Sequence, residues 1–205
     1  MRSAGDDLLS VSVADPRAAQ RLAADLRESG DWIEAVAGID SVVVQFDIAN
    51  VLRSDAEKRL SNAAEKISVA APTPQITIEI PVVYGGENGP DFEYVCEKLG
   101  LTGPELIEMH CGEYVVDMLG YIPGFAYIGG LDERLLIDRL EHPRQQVPAG
   151  SVGIAGGRTG LYSLAGPGGW PLIGRTGRKL FDPASDQPFA LFAGAVVKFI
   201  AVDAL

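Results

Sequence analysis

From Asp7 to Ala14, in DLLSVSVA, apolar and polar residues alternate with the period of a strand that buries one face. Asp15 then stands where a helix N-cap is needed, with Pro16 at the first helical position and Leu22 and Leu26 as an apolar stripe. Gly30 closes that helix. Trp32 to Ala37 and Ser41 to Ile48 read as two strands around a turn at Gly38-Ile39-Asp40. Ser54 followed by Glu57 has the spacing of a capping box and predicts a helix through Leu60, Ala63, Ala64 and Ile67. Pro72 and Pro74 break the chain, the stretch 70–74 reads as a linker, and Gln75 to Val83 alternates again. Strand, helix, strand, strand, helix, strand is the order of a ferredoxin-like βαββαβ unit, closed by residue 84.

A second region opens at Tyr84-Gly85-Gly86. Pro90 to Leu99 predicts a helix with Gly100 past its end, and Thr102 with Glu105 caps another that runs to about Cys111. Glu113 to Leu119 reads as a strand. Gly120 to Gly130 (GYIPGFAYIGG) has neither period and reads as an aromatic, glycine-bearing loop. Short apolar pieces between glycines follow, and Phe189 to Val202 reads as a closing strand. The expected fold class is therefore α+β, with a boundary at 84/85 between an α/β domain (1–84) and a β-rich domain (85–205).

Composition changes this picture in one place. Val147 to Gly177 holds ten of the chain's 24 glycines. The surrounding stretch 134–179 carries seven Lys and Arg against Asp138 and Glu141, in a chain whose net charge is −11. A glycine-rich, locally basic segment on an acidic protein suits an anionic group, although the same glycines would serve merely to turn corners in a small barrel. The acidic total argues against nucleic acid or an anionic membrane as partner. No apolar run reaches the length of a membrane span, and MRSAGDDLLS lacks the apolar core of a signal peptide, so the expected location is cytoplasmic. Cys96 and Cys111 form no CxxC, and two histidines supply no zinc pattern, so no metal is expected.

Individual motifs go less far. Gly169 to Thr176 (GWPLIGRT) has P-loop spacing, but Arg175 stands where lysine is needed, Pro171 interrupts the loop, and no helix follows. As a turn presenting a guanidinium, Arg175 suits a carboxylate or phosphate better. The tetrapeptide GRTG occurs at 157–160 and again at 174–177, which would place Arg158 and Arg175 on adjacent turns. His110 ends a helix, a position that suits either a cap or an acid–base role. Tyr114, Tyr121, Phe125, Tyr127, Tyr162 and Trp170 could wall a pocket or pack a core.

The strings LGYIPGFAYIGGLD, VPAGSVGIAGG and PGGWPLIGRT, in this order, resemble the allophanate hydrolase subunit 1 family, which includes the B subunits of 5-oxoprolinase and a sporulation-kinase inhibitor. The resemblance covers nearly the whole chain. It implies an N-terminal α/β domain and a cyclophilin-like C-terminal β-barrel. It also implies a partner resembling allophanate hydrolase subunit 2 or the C subunit of 5-oxoprolinase. In the oxoprolinase members it implies a third, lactam-hydrolase subunit and ATP-driven opening of 5-oxoproline to glutamate. ATP would sit at a site shared with the partner. The chain departs from the family pattern at Asp138-Arg139, where a proline–arginine pair is usual, at Arg158, where glutamine is usual, and at Ala165-Gly166, Gly177 and Ala195.

On this resemblance His110, Tyr162 and Arg175 are the candidate catalytic groups, as proton carrier, oxyanion donor and anion grip. Arg144, Arg158, Thr159, Gly168, Gly169, Trp170, Thr176, Phe125 and Tyr127 are the candidate binding residues. Two other readings stay open: a regulatory protein whose Gly/Pro-rich face docks onto a kinase, and a carboxyltransferase-like subunit of the allophanate–urea pathway.

Overall fold

A computed structural model of the chain describes residues 2–3, 5–66 and 77–204, and divides it into two compact units, Met1–Thr73 and Pro74–Leu205. The stretch expected to form a linker, 70–74, lies outside the described residues, as does Ile67.

In the first unit, strands β1 (Arg2–Ser3), β2 (Leu8–Ser12), β3 (Glu34–Ala37) and β4 (Ser41–Gln45) form an antiparallel sheet in the order β1-β2-β4-β3. Helices α1 (Pro16–Ser29) and α2 (Arg53–Glu65) pack with it through Leu22, Leu26, Ala56 and Leu60 against Leu9, Val42 and Val44. Asp15 caps α1 as its position predicts, accepting from the Ala18 N–H at 2.8 Å, and Gly30 takes the left-handed conformation at the other end. The expected capping box of α2 does not form. That helix starts two residues early, at Arg53, with Leu52 rather than Ser54 at the N-cap and no side-chain cap; Glu57 instead pairs with Arg53 one turn away. The βαββαβ expectation is also one strand short. Thr77–Tyr84 (β5) leaves this sheet for the barrel of the second unit, and the edge beside β2 is taken by β1. The boundary placed at 84/85 therefore moves upstream of β5.

The second unit is built on a closed barrel. Its further strands are β6 (Glu113–Leu119), β7 (Ala126–Gly129), β9 (Ser151–Ala155), β10 (Arg158–Leu161), β12 (Leu172–Arg175) and β13 (Val196–Ala201), and the order around the wall is β10-β7-β6-β13-β5-β12-β9. β8 (Arg144–Val147) and β11 (Gly166–Gly168) form a separate two-stranded ribbon. Inward-facing Ile80, Val82, Val116, Ile128, Val152, Ile154, Leu161, Val197 and Phe199 fill the interior. Helices α3 (Phe92–Leu99) and α4 (Gly103–His110) add Val95 and Leu106 to the same core. Here the predicted capping box is real, with Thr102 and Glu105 bonding reciprocally, and Gly100 ends α3 in the left-handed region.

Two stretches read differently in three dimensions. The stretch 120–130 is not all loop, because Ala126–Gly129 is wall strand β7, buried on one side by Ala126 and Ile128. Its four residues are too few for alternation to stand out among glycines and aromatics. The closing strand is Val196–Ala201 alone; Phe189 makes only an isolated bridge to Phe181.

Candidate functional site

Inside the barrel a chain of polar groups crosses the core. Thr159 points inward from β10, opposite Ile154, and its hydroxyl donates to the Gly153 carbonyl at 3.1 Å. With that proton committed, the Thr159 oxygen accepts from His110 Nε2 at 3.0 Å, so Nδ1 is the ring's acceptor and takes the Tyr84 hydroxyl proton at 2.6 Å. His110 is fully buried, 4.5 Å from the Phe199 ring centre, and burial pushes its pKa down to about 3. Burial likewise drives the Tyr84 phenol far above its ordinary range. His110 is thus a neutral brace joining α4, β5 and β10 within the core, away from solvent.

The outer wall of β9, β10 and β7 has a different character. Gly153 and Gly160 pair with each other, and Gly160 also pairs with Tyr127. The bare glycines let aromatic rings lie directly on the backbone. A Cβ at Gly160 would stand 2.7 Å from Phe125 Cζ and 2.9 Å from a Trp170 ring carbon. Phe125 makes edge contacts with Tyr127 at 4.8 Å, Tyr162 at 4.9 Å and Trp170 at 5.9 Å. Tyr162 is buried and its ring lies on Gly168, where any side chain would collide with it. Burial raises its pKa, and a bond from the Trp170 backbone N–H works the other way. At the rim Tyr121 is exposed and takes φ 67°, an uncommon conformation for a residue with a Cβ; its hydroxyl donates to the Pro167 carbonyl at 2.7 Å.

The candidate arginines do not converge. Arg158 faces Ala155 at one end of β9 and Arg175 faces Ser151 at the other, so four residues of strand, about 13 Å, separate them. The repeated GRTG therefore does not set two guanidiniums side by side. Arg158 Nε donates to Asp117 at 3.1 Å; burial raises the Asp117 pKa while the arginine opposes it. Arg175 Nε donates to the Ala149 carbonyl at 3.0 Å, and Thr176 is buried next to it with its hydroxyl accepting from the Arg178 N–H. The P-loop spacing has the same fate, since Leu172–Arg175 is wall strand β12 and makes no phosphate cradle.

Arg144 is placed otherwise. On β8, opposite Gly168, it donates from Nη2 to Asp91 Oδ1 at 2.7 Å, while Asp91 Oδ2 accepts from the Leu172 N–H at 2.7 Å. The Asp91 N–H returns a bond to the Leu172 carbonyl, which fixes the carboxylate. One residue along, the Leu140 N–H bonds the Gly169 carbonyl, and the Arg139 guanidinium lies 6.0 Å from the Trp170 ring centre. The structure thus gathers Arg144, Gly168, Gly169, Trp170, Phe125, Tyr127 and Tyr162 of the predicted set. It leaves His110 and Thr159 in the core, Arg158 at one end of the barrel, and Arg175 and Thr176 at the other. Sequence reasoning named Tyr121 only among the aromatics that could wall a pocket, and missed Asp91 and Arg139 as site residues. Arg139 had a signal, its place in the basic stretch 134–179; Asp91 had none beyond its place at a helix start. No group of three potential metal ligands occurs among the described residues.

The model of the carboxyltransferase domain, subdomains C and D, matches residues 1–191. The chain belongs to that carboxyltransferase-domain family. It is 44% identical to the B subunit of 5-oxoprolinase from Escherichia coli O157:H7 over 191 residues, 93% of this chain and 87% of that one. It is 41% identical to the Bacillus subtilis (strain 168) protein of the same name over 186 residues, 83% of this chain and 76% of that one. Among solved structures, TTHA0988 superposes on this carboxyltransferase-domain protein with a TM-score of 0.81 at 29% identity, over 98% of this chain. This chain spans only 40% of TTHA0988. The urea carboxylase of Kluyveromyces lactis gives a TM-score of 0.81 over 98% of this chain and 21% of its own, at 20% identity, a likeness of fold alone.

Proposed function

We propose that the chain is the B subunit of a multi-subunit, ATP-dependent 5-oxoprolinase that opens 5-oxoproline to glutamate. The observation that carries this reading is 44% identity to a 5-oxoprolinase B subunit across 93% of the chain. The geometry supports a shared role over a self-sufficient one. Opening a lactam breaks the ring C–N bond, adds the oxygen of water to the carbonyl carbon and delivers a proton to the ring nitrogen. His110 is sealed in the core as a neutral brace, Tyr162 is buried under Gly168 and Trp170, and Arg175 is held by Ala149. These groups shape the barrel, and the reacting surface is completed by two partner chains, a 5-oxoprolinase C subunit and a lactam hydrolase. ATP is held with the partner, since β12 offers no phosphate loop.

The test is reconstitution with those partners and a measurement of ADP released on addition of 5-oxoproline. Turnover that requires all chains is the expected result. Its absence with 5-oxoproline, combined with turnover on allophanate or urea, would replace the reading with the carboxyltransferase-like one.

A further inference from the structure

Two guanidiniums flank the Gly168–Trp170 segment, and both have donors to spare. Arg144 has one nitrogen committed to Asp91, while its Nη1 is buried and has no hydrogen-bond partner. A buried cationic donor in that state costs stability unless an acceptor comes to it. Arg139 makes no hydrogen bond or ion pair among the described residues; its guanidinium lies against the Trp170 ring. The acidic residues of the same stretch, Asp138 and Glu141, are exposed and pair with neither arginine. Gly168 is covered by the Tyr162 ring and Pro143 stands 3.5 Å from where a Cβ at Gly169 would lie, so an incoming oxyanion would meet the exposed Arg139 first. Asp91, itself fixed by the Leu172 N–H at 2.7 Å, holds Arg144 through a single 2.7 Å bond to Nη2, which lowers the ordering left for the moment of binding.

We propose that Arg139 and Arg144, around Gly168-Gly169, form a binding site for the carboxylate of a small organic acid. This rests on the proposed oxoprolinase role for the choice of acid, 5-oxoproline, and on geometry alone for the oxyanion class. Asp91 acts as a positioning residue, holding Arg144 without touching the ligand.

The experiment is calorimetric titration of the full chain, alone and in the reconstituted complex, with 5-oxoproline, 2-pyrrolidone, acetate, inorganic phosphate and ATP. Saturable binding of 5-oxoproline and none of 2-pyrrolidone, which lacks only the carboxylate, is expected. Arg144→Lys and Arg139→Ala should each weaken 5-oxoproline at least tenfold, and Asp91→Asn about as much. Arg139 is exposed, so its variant tests the site without endangering the fold. Equal affinity for 5-oxoproline and 2-pyrrolidone, or full affinity in both arginine variants, overturns the proposal. So does absence of saturable binding in chain and complex alike, or arginine-dependent binding of phosphate or ATP in preference to the carboxylates. The two readings fail separately. Arginine-dependent acetate binding without oxoprolinase turnover keeps the site and removes the assigned acid, whereas turnover unchanged in both variants keeps the function and removes the site.

Discussion

Imidazole can donate from one ring nitrogen and accept at the other, and His110 uses both inside a fully buried core. Protonating it would require a charge in that core, which is why its pKa falls to about 3 against about 6.5 in an unfolded chain. Between those values the unfolded state binds the extra proton, so stability is full above about pH 6.5 and falls as pH drops towards 3. Urea titrations across that window should show a steeper acid loss in the parent chain than in His110→Gln. His110→Ala should cost about 2–5 kcal/mol, because it opens a cavity and strands the Tyr84 and Thr159 hydroxyls. Arg175 belongs to the same class of bracing residue. Arg175→Lys removes the Nε donor to Ala149 and should cost about 0.5–1.5 kcal/mol, read by thermal melting, with ligand affinity unchanged.

At the scale of elements, the outer face of β9 and β10 is unusual in being glycine where most barrel walls carry side chains. Gly160→Ala forces Phe125 and Trp170 apart and should cost about 1–3 kcal/mol, with a change in the Trp170 near-ultraviolet dichroism that a purely internal core change would not give. This layer also explains what could be read from sequence. Caps and stripes depend on neighbours three or four residues away, so α1, α3 and α4 were legible from Asp15, Gly100 and the Thr102–Glu105 pair. Wall strands of four residues, such as β7 and β12, depend on partners far along the chain. The residues of β7 therefore looked like a loop, Leu172 and Ile173 of β12 showed only as a short apolar piece between glycines, and β5 looked like the last strand of the first unit. The glycines of 147–177 announced a specified backbone. They could not announce that Trp170 and Phe125 occupy the space those glycines free, or that Arg158 on β10 and Arg175 on β12 face opposite ends of β9.

For the whole molecule, the proposed function predicts a division of labour between chains. The purified chain should show no 5-oxoproline-dependent ATP hydrolysis, whereas the assembled complex should; robust hydrolysis by the single chain would contradict the shared-site reading.

The parallel pairing of β5 with β13 joins Thr77 to Val196, 119 residues later, and β13 slots between two strands, β5 and β6, that are made long before it. During synthesis the segment TIEIPVVY must therefore wait with an open edge, rich in β-branched residues and ready to pair with any strand that meets it. Pro81 stands in the middle of it, opposite Ile200 in the finished wall. It gives up a backbone donor to the completed barrel, and in the waiting chain it interrupts the hydrogen-bonding row along which another molecule would add. Replacing Pro81 with valine should leave the folded barrel intact while raising the fraction of newly made chain lost to aggregates, which a comparison of soluble and pelleted protein after expression would reveal.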